Sequence, residues 1–97
     1  MDVQAHIYYF GTVQGIGFRY TAQQLASQLG LNGWIKNLKD GSVEIIAEGR
    51  RETIEELQKS LEKHFEGYIR DRKVTIQERT SSLSAGQAGF EDFKVIY

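Results

Sequence analysis

"LNGWIKNLKDGSVEIIAEG", residues 31–49, reads as two extended segments folded about a turn. Trp34 and Ile35 on one side and Val43, Ile45 and Ile46 on the other are residues that pack well on a pleated surface. Between them, Asp40-Gly41 is expected to supply the positive φ values that favoured hairpin turns demand. Outward from this hairpin, the chain repeats the same pair of elements in mirror order. On the N-terminal side, Phe18, Ala22, Leu25 and Leu29 recur at helical spacing, which predicts a helix from near Arg19 that Gly30 stops. Before it, Val3 to Phe10 alternates as a strand with Val3, Ala5, Ile7 and Tyr9 on one side. On the C-terminal side, Ile54, Leu57, Leu61 and Phe65 form an apolar stripe, and Glu52, Glu55, Glu56, Lys59, Glu62 and Lys63 fill the other faces of a second helix. "KVTIQER" (73–79) is the next strand, "SSLSAGQAG" (81–89) a polar loop, and "FEDFKVIY" (90–97) holds a short last strand.

The resulting order is βαββαβ with one extra strand, and it predicts an α+β fold, the ferredoxin-like sandwich. In that arrangement an antiparallel sheet carries two helices on one face. A chain of 97 residues with 40% hydrophobic content has room for one core, so a single domain over 1–97 is expected, a monomer on size. The formal charge of −1 gives no general basic field, which disfavours nucleic acid or an anionic membrane as partner. Without cysteine there is no disulfide framework, thiolate nucleophile or Cys-based zinc site. The first residues, "MDVQAHIYYF", lack the basic and long apolar regions of a leader, and the expected location is the cytoplasm. A fold of this kind hosts RNA readers, regulatory modules, metal carriers and enzymes, so function has to come from the site.

The chemistry sits in "GTVQGIGFRY", residues 11–20, between the first strand and the first helix. Backbone N–H groups from Gly15 to Phe18 can turn toward a common point, and the positive end of the helix dipole adds to their field. Arg19 would stand beside that cradle with a planar fork suited to two phosphoryl oxygens. The same residues also read as a strand-to-helix turn that needs glycine. Neither the dinucleotide fingerprint nor a Walker loop fits, because no glycine closes "GIGFRY" and no Gly-Lys-Ser/Thr follows. Asn37, at the end of the strand entering the hairpin, carries a donor and an acceptor and could hold a water; it could equally shape the approach to the turn.

Together the two stretches resemble the signatures of the acylphosphatase family. Gly11, Val13, Gln14, Gly15, Phe18 and Arg19 match its first pattern; Gly33, Trp34, Lys36, Asn37, Gly41, Val43 and Gly49 match its second. The resemblance covers essentially the whole chain and implies metal-independent hydrolysis of the carboxyl-phosphate bond of small acyl phosphates, releasing inorganic phosphate, with no cofactor. It implies that the backbone of Gln14, Gly15, Ile16, Gly17 and Phe18 cradles the phosphoryl group, that Arg19 binds it and that Asn37 orients the attacking water. An acyl phosphate has a good leaving group, so positioning and charge stabilisation can carry the reaction without a side-chain base. Thr12, Tyr9, Ile16 and Ile35 depart from the usual residues of the pattern but leave Arg19 and Asn37 in place.

Other features are read as structural. His6 and His64 lack ligand spacing, so no metal site is expected. Arg50 and Arg51 beside Glu52 and Glu55 read as a solvated, self-paired face rather than a second anion site. Tyr8, Tyr9 and Phe10 raise an RNA-binding alternative, yet the third-strand segment "VEIIAEG" is aliphatic and acidic, and the three rings are expected to cover the sheet from within the core. Two further alternatives are the acylphosphatase-like module of carbamoyl-phosphate-processing maturation proteins and an anion-binding module without turnover.

Overall fold

The computed structural model describes residues 2–78 and 92–97. Along the chain lie β1 (Asp2–Gly11), α1 (Phe18–Gln28), β2 (Asn32–Asn37), β3 (Val43–Arg50), α2 (Arg51–His64), β4 (Ile69–Glu78) and β5 (Phe93–Ile96). The sheet order is β4-β1-β3-β2-β5. This is the expected ferredoxin-like α+β arrangement. The pairs β1–β3, β1–β4 and β2–β3 are antiparallel. One departure concerns the last strand, which runs parallel to β2, from Gly33 beside Phe93 to Lys36 beside Ile96, so the sheet is mixed rather than wholly antiparallel. β4 starts at Ile69, four residues ahead of the expected Lys73, because backbone pairing with Gly11, Phe10 and Tyr9 extends it through the charged residues 70–73. The expected loop at 81–89 lies outside the described residues.

Alternation puts Val3, Ala5, Ile7 and Tyr9 of β1, with Val43, Ile45 and Ala47 of β3 and Ile35 of β2, on one buried sheet face. The helices pack there. α1 buries Phe18, Ala22 and Ala26, with Leu25 and Leu29 only partly covered; α2 buries Ile54, Leu57 and Leu61, followed by Phe65. Phe18 joins the two layers: its ring stacks on Phe65 at 4.6 Å and meets Tyr9 at 5.5 Å. Burying such rings is the main driving force for closing the sandwich. Since Phe18 opens α1, this packing fixes where the helix begins and therefore where Arg19 stands.

The hairpin turn differs from its expected form. Gly41 alone adopts a positive φ, +93°, and Asp40 does not. Leu38 N–H donates to Ser42 O (2.9 Å) and Gly41 N–H to Leu38 O (3.2 Å), a three-residue loop with glycine in its last position. Asp40 contributes through its side chain: Oδ1 accepts from Ser42 N–H at 2.9 Å and from Ser42 Oγ at 2.5 Å. These bonds, the hydroxyl one foremost, hold the Asp40 carboxyl below the usual carboxylate range.

Of the three neighbouring aromatics in β1, only Tyr9 is in the core. Tyr8 and Phe10 lie half-buried on the opposite, open face, because period-two alternation separates them from Tyr9. There His6, Tyr8 and Phe10 stack in a row with centroids 4.6 and 6.4 Å apart, and Glu44 accepts from Tyr8 Oη (3.2 Å) and pairs with His6 Nε2 (2.5 Å). Burial and the adjacent Glu44 carboxylate raise the Tyr8 phenol above its ordinary value. His64 is exposed, edge-on to Phe65.

Candidate active site

The loop between β1 and α1 bends inward at two glycines. Gly15 and Gly17 have φ of +78° and +81°, while Ile16 between them keeps a negative φ, an alternation that turns successive N–H groups to one side. A Cβ at either glycine would meet nothing within 4 Å, so conformation and not crowding requires glycine at these positions. Gly17 caps α1 without a side-chain bond, and the first turn of α1 carries no acidic residue. The N–H groups of Phe18, Arg19 and Tyr20 therefore face outward with the positive end of the helix dipole behind them. Such an end attracts an anion. α2 contrasts with it, since Glu52 occupies its first turn.

A pocket of about 200 Å³ opens at this point. Gly15, Gly17, Phe18 and Arg19 line one side, Asn37 comes across from the end of β2, and Val95 and Tyr97 close it from the last strand. The structure thus brings together five of the seven site residues expected from the sequence. Asn37 Oδ1 is buried and has no hydrogen-bond partner among the described residues. A buried amide oxygen left in that state is unfavourable unless something donates to it. Arg19, half-buried, lies with its guanidinium carbon 4.9 Å from the centroid of the Tyr97 ring.

Gln14 and Ile16 are not part of the pocket lining. Ile16 packs partly buried against the core. The Gln14 side chain turns to the hairpin, where Nε2 donates to Leu38 O (2.7 Å) and Ser42 O (2.9 Å). It ties the glycine loop to the turn that follows Asn37.

Three contributors were not read from the sequence. Gln23 lines the pocket and donates to Phe93 O at 3.3 Å, joining α1 to β5. Its position one helical turn after Arg19 was a usable signal. Tyr20 could be found as the direct neighbour of Arg19. Tyr97 could not, because only the parallel pairing of β5 with β2 carries it to the pocket. Among the described residues no lining side chain is a carboxylate or an imidazole, and no group of His, Cys, Asp and Glu side chains could hold a metal ion. No helix among the described residues is long and apolar enough to cross a membrane.

The acylphosphatase family profile matches residues 5–94. An acylphosphatase of Trichormus variabilis is 51% identical over 55 residues, a stretch covering 57% of this chain and spanning 54%, about half, of that relative's length. An acylphosphatase of Pseudomonas paraeruginosa is 42% identical over 85 residues, 88% of this chain and 89% of the relative. The crystal structure of acylphosphatase from Bacillus subtilis superposes with a TM-score of 0.82 at 32% identity, covering 98% of this chain and 99% of that one. With this match over residues 5–94 and with Arg19 and Asn37 lining one pocket at the head of α1, the chain belongs to the acylphosphatase family.

Proposed function

We propose that the protein hydrolyses the carboxyl-phosphate bond of small acyl phosphates, without a metal ion, at the pocket between the glycine loop and Asn37. The observation that carries this reading is the buried, unpartnered Oδ1 of Asn37 in the pocket that also holds Arg19. The phosphoryl group rests on the N–H groups of Gly15, Gly17 and Phe18, with Arg19 across two of its oxygens. A water donates one hydrogen to Asn37 Oδ1, which aims its lone pair at phosphorus. The water oxygen bonds to phosphorus as the bond from phosphorus to the carboxyl oxygen breaks, and the electron pair leaves with the carboxylate. A phosphoryl oxygen takes the water's proton. In a loose transition state of this kind charge spreads over the equatorial oxygens, and preorganised donors stabilise it. The side chains of the described residues lining the pocket fit that division of labour, because they supply donors and one cation but no carboxylate or imidazole base. Size and composition extend the proposal to a single domain acting as a monomer in the cytoplasm.

The test is release of phosphate from acetyl phosphate by the pure protein, with and without a chelator. Turnover unaffected by the chelator is expected. No turnover would refute the hydrolase reading, and loss of turnover on chelation would refute metal independence.

A further inference from the structure

Tyr8 and Phe10 take no part in the pocket at the head of α1. On the open face of the sheet they floor a second cavity of about 250 Å³, bounded by Leu38, Asp40 and Ser42 of the hairpin turn and by Lys73 of β4. The sheet order β4-β1-β3 puts the turn and Lys73 on opposite sides of that floor, because Lys73 pairs across from Tyr8 while the turn leads into β3. The two rings lie 20° from parallel with centroids 6.4 Å apart. His6 stacks on Tyr8, and Tyr8 Oη donates to Glu44, so the floor is fixed in place before any ligand arrives. A surface ordered in advance costs little to order on binding.

The rim carries one charge of each sign. Asp40 is anchored through Oδ1 by Ser42, whose bonds keep the carboxyl ionised, while its Oδ2 has no partner among the described residues. Lys73 Nζ likewise forms no hydrogen bond or ion pair among the described residues, so the two charges line one cavity without neutralising each other. A purely anionic ligand would be repelled by Asp40 and a purely cationic one by Lys73. A nucleotide fits poorly for the same reason, since its phosphate would have Lys73 to face but Asp40 close by. We propose that this cavity binds a small aromatic zwitterion, of the aromatic amino acid class, with its ring on Tyr8 and Phe10, its ammonium at Asp40 and its carboxylate at Lys73.

The test is a titration of the isotope-labelled protein with L-phenylalanine, followed by amide chemical shifts. Saturable shifts should centre on Tyr8, Phe10, Leu38, Ser42 and Lys73. Two probes that each lack one charge, 3-phenylpropionate and 2-phenylethylamine, should bind roughly threefold to fivefold more weakly, the upper range for an exposed ion pair. L-alanine, which lacks the ring, should bind about tenfold more weakly. Asp40→Asn, which keeps an oxygen for Ser42, should bring phenylalanine down to the level of 3-phenylpropionate, and Lys73→Gln should bring it down to that of 2-phenylethylamine. Both positions are exposed, and the spectra of the free variants verify that they fold. Absence of saturable shifts, equal affinities for the four probes, or ratios untouched by the two variants would overturn the site. Shifts centred on Gly15 to Arg19, or uridine monophosphate binding more tightly than phenylalanine, would overturn it as well.

Discussion

The guanidinium of Arg19 lies over the ring of Tyr97, 4.9 Å from its centroid, so a residue of the first helix takes its support from the far end of the chain. A cation held over an aromatic face is stabilised by about 0.5 to 1 kcal/mol at exposed sites, enough to narrow the orientations of the fork. Replacing Tyr97 by Leu should lower kcat/KM for acetyl phosphate by roughly twofold to fivefold. Tyr97→Phe should stay near the parent value. Steady-state kinetics of both variants decide whether the ring, rather than its hydroxyl, matters.

Arg19→Ala and Asn37→Ala should each reduce kcat by roughly 10² to 10³, the usual cost of one preorganised transition-state contact. Arg19→Lys should remain severely impaired, since a point charge cannot reproduce the bidentate fork. Full turnover in Asn37→Ala would remove the water-orienting role, and normal activity in Arg19→Lys would remove the fork.

Gln14 should act on the site through the backbone. In Gln14→Met the carbonyls of Leu38 and Ser42 lose the side-chain donor they have at 2.7 and 2.9 Å and keep the backbone donors Gly41 N–H and Leu38 N–H. The expected loss of stability is about 1 to 3 kcal/mol, the net worth of two ordinary hydrogen bonds, since each carbonyl keeps a backbone donor. Urea unfolding measures it, and an unchanged midpoint would show that the strut is dispensable.

The phenol of Tyr9, buried between the layers, donates to Glu62 at 3.0 Å, and Glu62 also pairs with Arg72. Burial, reinforced by the Glu62 charge, raises the Tyr9 pKa far above its ordinary value near 10. In the unfolded chain the phenol deprotonates near pH 10, whereas in the folded protein it keeps its proton. This contribution to stability is complete below about pH 10 and declines as pH rises above it. Tyr9→Phe should therefore show a flatter alkaline limb when midpoints of thermal unfolding are followed from pH 8 to 11. A limb as steep as the parent's would place the alkaline sensitivity elsewhere.

Local chemistry made much of this legible in advance. Both helical stripes were visible as periodic apolar residues, and every residue of the second one, Ile54, Leu57, Leu61 and Phe65, is buried. Asp40-Gly41 identified the turn, although a single positive φ and an Asp40 side-chain bond to Ser42 build it. Aromatic identity alone puts the Tyr8 and Phe10 rings in the core with Tyr9, whereas the period-two alternation of β1 sets them on the opposite, half-buried face.

By itself the sequence determined the element order, the glycine loop ahead of α1, and the residue types at Arg19 and Asn37. These follow from spacing and backbone preference, which act between near neighbours. Only the tertiary structure decided that Asn37 Oδ1 is buried without a partner, that Gln14 spans to the hairpin, and that Tyr97 meets Arg19. The first two depend on β1 and β2 flanking β3, and the third on β5 lying parallel to β2; strand pairing between distant segments leaves no period in the sequence to read.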